Sequence, residues 1–308
     1  MKLIKYIRIF SASLLLCILQ SCFTGIESTP KITLDNSIFE HESTFSNEQK
    51  YLSTIKNEPF NQWSKHKPFI VTDNKISLIF SPNNQPNNIA GSTIEYQKYN
   101  TSTSVAGTTI TNIYFIHNCD TLIYSINATP QEIASRKSFN VPFTIQQSVI
   151  DEVKNKMLNN IYYTITPLVY DSIGNTINIQ KYIPVKINEI KAGNYIYPIK
   201  AYFTTENNNS YYLYMTIGND IQSTRNFDTL FSLTNPRNKY PNISDNNWNA
   251  ITKNIVIIGM DKEECQLALG IPNNIERLPS NAGVIEIWKF DNGYQLFFED
   301  GLLKEFRR

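Results

Sequence analysis

Short runs of β-branched and aromatic residues, each closed off by an Asn, Pro or Gly cluster, recur along most of this chain and restrict it to folds built from strands. Five such runs fall between residues 50 and 128: Pro68-Phe69-Ile70-Val71-Thr72, Lys75–Phe80, Ser92–Tyr96, Asn112–Ile116 and Thr121–Ile126. The 18 Tyr and 17 Phe against only 11 Gly suit aromatic strands and exclude a collagen-like repeat. A connector over residues 129–159 breaks the period. Thr129-Pro130-Gln131-Glu132 sets a hydroxyl cap, a Pro at the first helical position and a Glu at the third. Val149, Ile150, Val153, Met157 and Leu158 then follow at helical spacing. The strand period resumes over residues 160–240 in Tyr162–Tyr170, Ile177–Val185, Ile196–Thr204 and Tyr211–Ile217, with Ser172-Ile173-Gly174-Asn175 as a hairpin turn.

These runs predict a mainly β chain with an α+β end: two small antiparallel units, each an SH3-like barrel or a sandwich, over 50–128 and 160–240. Lys67–Val71 aligns with Tyr182–Lys186, and Ile113–Ile126 aligns with Ala201–Ile217, as an internal repeat would require. A shared strand pattern produces the same alignment without a repeat.

The first residues set the compartment. Lys2, Lys5 and Arg8 precede an apolar run from Ile9 to Leu19, which is too short to span a bilayer, where about 20 residues are needed, and is the length of a signal-peptide core. The run ends in Leu19-Gln20-Ser21-Cys22, which resembles the bacterial lipobox, with Gln20 departing from its usual small residue. The resemblance implies a cleaved signal peptide over 1–21, acylation of Cys22, palmitate included, and a tether over 22–49. Several acyl chains at about 0.8 kcal/mol per buried CH₂ would hold the chain on a bilayer. Losing Lys2, Lys5 and Arg8 takes the net charge from +1 to −2, which argues against nucleic acid as a partner. Cys119 and Cys265 remain as thiols in separate β and α+β regions, and read as small buried hydrophobes in preference to a disulfide.

Residues 241–308 carry the densest set of local signals. Ser244 caps a helix over 245–254 with Trp248 and Ile251 on one face. Asp261 and Glu264 form a capping box before a second helix whose inner face is Cys265, Ala268 and Leu269, and Gly270 and Pro272 stop it. Three strands follow, Val284–Phe290, Tyr294–Glu299 and Leu302–Phe306, joined by turns at Asp291-Asn292-Gly293 and Glu299-Asp300-Gly301. Gly259-Met260-Asp261, Leu269-Gly270-Ile271-Pro272, Trp288-Lys289-Phe290 and Phe298-Glu299-Asp300-Gly301-Leu302 together resemble the pattern of the BamE (SmpA/OmlA) family. Asp261 replaces that pattern's hydroxyl cap, and Cys265 its Val. The resemblance implies a helix–helix–three-strand domain, residence in the bacterial envelope as a lipoprotein, and non-catalytic protein binding, as in outer-membrane assembly. Each matching residue also has a structural use as cap, stop, turn or core.

A search for chemistry returns little. His41 and His66 lie in polar stretches, and His117-Asn118-Cys119-Asp120 is the only place where His, Cys and Asp meet, short of the roughly four ligands that zinc takes. Asp151/Glu152 and Glu263/Glu264 sit at helix starts, where negative charge is favoured by the dipole. No metal, cofactor or catalytic set is expected. Asp120-Thr121-Leu122, Asp171-Ser172-Ile173 and Asp228-Thr229-Leu230 fit a sequon for envelope O-glycosylation at Thr121, Ser172 and Thr229.

The expectation is a non-enzymatic outer-membrane lipoprotein, held by acylated Cys22 and binding other envelope proteins. It would face the periplasm, since Phe23-Thr24-Gly25-Ile26 lacks the acidic cluster of a surface-export signal. The alternative is a surface lipoprotein that binds glycan or peptide through Tyr195, Tyr197, Tyr202, Tyr211, Tyr212 and Tyr214.

Overall fold

A computed structural model describes residues 46–308, apart from 82–85, 87, 137–138, 219–222 and 281–282. The expected signal peptide, Cys22, His41 and the expected tether as far as residue 45 lie outside the described residues. The chain divides into Met1–Thr44 and Phe45–Arg308, and the fold below is that of the second unit.

Helix α1 (Asn47–Tyr51) opens this unit, closed at its start by a capping box between Ser46 and Gln49. The first sheet is built from β1 (Pro68–Val71), β2 (Thr93–Thr103), β3 (Thr109–His117), β4 (Asp120–Ile126) and β5 (Thr144–Gln146), all antiparallel in the order β4-β3-β2-β1-β5. Phe69, Val71, Ile94, Tyr96, Ile113, Phe115 and Leu122 alternate onto one face. Helical turns around Phe60, Trp63 and Ile76, and helix α2 (Pro130–Ser135), cover that face with Phe60, Trp63, Ile76 and Ile133. The run Lys75–Phe80, expected as a strand, is mostly a 3₁₀ turn, Asn74–Leu78. Asp73 caps it by accepting from the Lys75 N–H, and Ile76 and Phe80 are buried at a spacing of four, a helical period.

Helix α3 (Gln147–Met157) leads into the second sheet and buries Val149, Ile150, Val153 and Met157 against it. Leu52 and Ile55, just after α1, and Ile145 of β5 join the same core, so α3 is packed by residues from both sheets. The second sheet holds β6 (Ile161–Thr164), β7 (Leu168–Tyr170), β8 (Thr176–Asn178), β9 (Pro184–Ala192), β10 (Ile199–Thr205), β11 (Ser210–Met215) and β12 (Phe231–Ser232), in the order β12-β6-β9-β10-β11-β7-β8; helix α4 (Phe227–Leu230) precedes β12. Two expected strands are each divided. Tyr162–Tyr170 breaks around Pro167 into β6, which pairs with β9, and β7, which pairs with β11. Ile177–Val185 breaks before Pro184, where Tyr182 takes φ 59.

Neither sheet closes into a barrel, which overturns the expected SH3-like units: each ends in two different, unjoined edge strands. Strand period reports which face is buried and carries nothing about closure, and here helical segments cover the apolar faces in place of a second sheet. The two sheets, of five and seven strands, are also wound in different orders.

The C-terminal module contains α5 (Asp245–Thr252), α6 (Lys262–Leu269) and a meander of β13 (Asn274–Ser280), β14 (Gly283–Lys289), β15 (Gln295–Glu299) and β16 (Leu302–Arg307). The helix–helix–three-strand arrangement implied by the BamE resemblance is therefore overturned: the sheet has four strands, and β13 is paired with β14 along its whole length. Pro279, a poor strand residue, hid β13 from sequence reading. The caps and turns that carried the resemblance are local devices that recur across folds.

Lys181 and Tyr182, between β8 and β9, join this module to the second sheet. The Lys181 ammonium, almost fully buried, donates to the Ala268 carbonyl at the end of α6 at 2.7 Å. Tyr182 stacks on Trp248 of α5 with ring centroids 5.4 Å apart.

Candidate functional site

The second sheet turns one face to the core and the other outward. On β9, β10 and β11, Val185, Ile187, Ile199, Ala201, Phe203, Leu213 and Met215 take the inner positions, which leaves Lys186, Lys200, Tyr202, Tyr212 and Tyr214 on the outer side. Register then lines them up. Tyr170 of β7 stands opposite Tyr212 of β11, Tyr212 opposite Tyr202 of β10, and Tyr202 opposite Glu189 of β9. Lys200 lies beside this row, opposite Tyr214 on one side and Lys191 on the other.

The row is packed ring on ring and cation on ring. Tyr170 and Tyr212 stack with centroids 5.2 Å apart and planes 12° from parallel. Tyr214 meets both edge-on at 5.6 Å. The Lys200 ammonium sits 3.8 Å from the Tyr212 centroid and 5.0 Å from that of Tyr202. Arg225, from the loop before α4, lies over the rings of Tyr170 and Tyr197 at 5.6 and 5.3 Å. Each such contact contributes about 0.5–1 kcal/mol at an exposed site.

Burial works against the charge on Lys200, but a hydrogen bond with Tyr202 and the neighbouring phenols outweigh it, and its pKa is raised. Burial also raises the Tyr212 phenol, with Lys200 pulling the other way. Lys191 pairs with Glu189 at 2.9 Å. Neither Lys200 nor Arg225 has a carboxylate within ion-pair distance among the described residues.

Of the tyrosines expected to form a binding face, Tyr202, Tyr212 and Tyr214 come together, and Tyr197 reaches them through Arg225. Tyr211 turns inward against the core, and Tyr195 packs on Phe143 at 5.5 Å. Sequence reading missed Tyr170, Lys200 and Arg225. Tyr170, with Arg225 over its ring, joins only once β7 pairs with β11, which no local pattern encodes, while Lys200 comes with the β10–β11 hairpin.

The remaining candidates lie elsewhere. Thr121 is exposed at the start of β4, Ser172 in the turn after β7, and Thr229 on α4. Met260, Trp288 and Phe298 are core residues of the C-terminal module. Asp261 and Glu264 complete their capping box, Pro272 follows α6, and Gly259, Gly270, Gly293 and Gly301 take positive φ; Leu302 opens β16 and bridges Asp261. His117, Cys119 and Asp120 share the β3–β4 turn, and no group of three His, Cys, Asp or Glu side chains placed to hold a metal occurs among the described residues. Among those residues no helix is long and apolar enough to cross a membrane.

No protein-family model matches this chain, and neither a curated protein nor a solved structure shows significant similarity to it.

Proposed function

We propose that this chain is a bacterial envelope lipoprotein, anchored through acylated Cys22, that works by non-catalytic binding through the outer face of the second sheet. The observation that carries the binding reading is the cross-strand row Tyr170–Tyr212–Tyr202 with Lys200 and Arg225 among its rings and no carboxylate in ion-pair distance of either among the described residues. Rigid aromatic side chains give contact area at small entropic cost, and a sheet holds them in fixed register. The anchor is supported by the charged start, the short apolar run and Leu19-Gln20-Ser21-Cys22.

Photocrosslinking in cells tests both halves. A photoreactive residue at Ile161, exposed on the outer side of β6, should give discrete adducts in the membrane fraction. The same residue at Asn100, on the first sheet, should give none, and Cys22→Ser should move the chain out of that fraction. Equal adducts from both positions, or none from either, would sink the binding face; membrane retention of the Cys22→Ser chain would sink the anchor.

A further inference from the structure

We propose that the ligand of this face is an anionic polysaccharide, a glycan carrying carboxylate or sulfate groups. The inference rests on the preceding reading that the outer face of the second sheet is where the chain binds.

The ring faces are already taken. Tyr170 and Tyr212 lie against each other, Lys200 lies over Tyr212 and Tyr202, and Arg225 lies over Tyr170 and Tyr197. A neutral sugar that binds by laying its apolar side on an open ring finds little free ring here. What the face offers in its place is charge. Across all seven strands of the sheet Glu189 is the single carboxylate, and it is paired with Lys191. Lys186, Lys191 and Lys200 come from the strands, and Arg225 joins them from its loop. In a chain whose net charge is only +1, this is a local concentration of cations.

The layout favours a long, hydroxyl-rich polyanion over the other occupants. The tyrosine row runs across the strands in the middle of the sheet, through β10 and β11, away from the edges β12 and β8 where a peptide would add as a strand. A bilayer is drawn to clusters of about 4–8 free Lys and Arg beside groups that insert, and here the row is sunk in the sheet, with Tyr212 only 7% exposed. Phenol hydroxyls suit sugar hydroxyls, and the ammonium and guanidinium groups suit the acid groups repeated along the polymer.

Affinity electrophoresis of the purified full-length chain in detergent, through gels holding polygalacturonate, heparin or dextran, tests the assignment. Retardation by polygalacturonate or heparin, weakening as salt is added, and none by dextran is the expected result. Lys186→Gln with Lys200→Gln should weaken it about tenfold. Lys186→Gln alone, at an exposed position, should weaken it less without touching the ring cluster. Dextran retarding the chain equally, no loss in either variant, or binding only to phosphatidylglycerol vesicles run in parallel would overturn the proposal. If the polyanions fail while the Ile161 crosslinks persist, the ligand class falls and the binding face stands.

Discussion

Glu286 on β14 is buried beside Trp288 on the face that meets the helices, where burial alone would favour its neutral form. Hydrogen bonds from the Trp288 indole at 2.7 Å, Arg277 at 2.9 Å and Lys262 at 3.1 Å outweigh burial and hold the carboxyl at about 2. Arg277 is mostly exposed, so solvent screens its share and the buried indole N–H counts for more. A carboxyl depressed on folding takes up protons first in the unfolded chain. Its stabilisation is therefore complete above about 4.5 and drains as the pH falls toward 2. Glu286→Gln should cost on the order of 2 kcal/mol at pH 7, read by urea unfolding, and the difference from wild type should shrink as the pH falls from 5 to 3. A cost independent of pH would show that the carboxylate charge is not its source. At this scale much was legible: the boxes Thr129/Glu132 and Asp261/Glu264 close within one turn, so neighbouring residues suffice to specify them. Cys119 and Cys265 both read as buried hydrophobes, but only Cys265 is buried; Cys119 is exposed in the β3–β4 turn, where no core lies above it. Burial pushes the Cys265 thiol up to about 12, leaving it inert at neutral pH.

Helix α3 is readable because its apolar residues Val149, Ile150, Val153 and Met157 repeat at the helical period, and it runs over Gln147–Met157, ending one residue short of Leu158. Its packing was not readable: Leu52 and Ile190 join its core from distant parts of the chain. Ile150, 3% exposed on its buried side, is packed in that core. Ile150→Ala should lose about 2–4 kcal/mol in a denaturant titration, whereas Asp151→Ala on the exposed side should change stability by less than about 0.5 kcal/mol. Similar small effects from both would mean that α3 is not the support proposed for it. The divided strands fail for a related reason. Tyr162–Tyr170 holds enough apolar residues for one strand, but Pro167 has no N–H for a ladder, and the two halves find different partners. The tyrosine face was half legible: the β10–β11 hairpin brings Tyr202 opposite Tyr212 by local pairing, while Tyr170 arrives only once β7 finds β11.

At the scale of the whole folded unit, Lys181 and Tyr182 are consequential because they tie the C-terminal module to the second sheet. Burial lowers the Lys181 pKa to about 8. The unfolded chain then holds this proton up to about 10.5 while the folded chain has released it, so this group's contribution to stability rises with pH between those values. Tyr182 holds a left-handed backbone and stacks on Trp248, anchoring the C-terminal module to the second sheet. Tyr182→Ala should speed amide hydrogen exchange across α5 and α6 and leave β10 and β11 as protected as before. Unchanged exchange in both helices would show that other contacts hold the module. None of this was visible in the sequence, where Lys181-Tyr182 reads as the middle of a strand.

The free rim of the C-terminal sheet bears on how copies of the chain would behave if the anchor proposed above crowded them into one plane. Proteins held in a plane collide with one another often, and an unguarded strand invites one copy to zip onto the next. β13 ends in Pro279-Ser280, and Glu276 and Arg277 along it are engaged with Lys289 and Glu286 on the neighbouring strand. β16, at the opposite rim, carries Lys304, Glu305 and Arg307. Proline and charge at both margins discourage intermolecular pairing, so copies brought together by such an anchor would remain separate molecules.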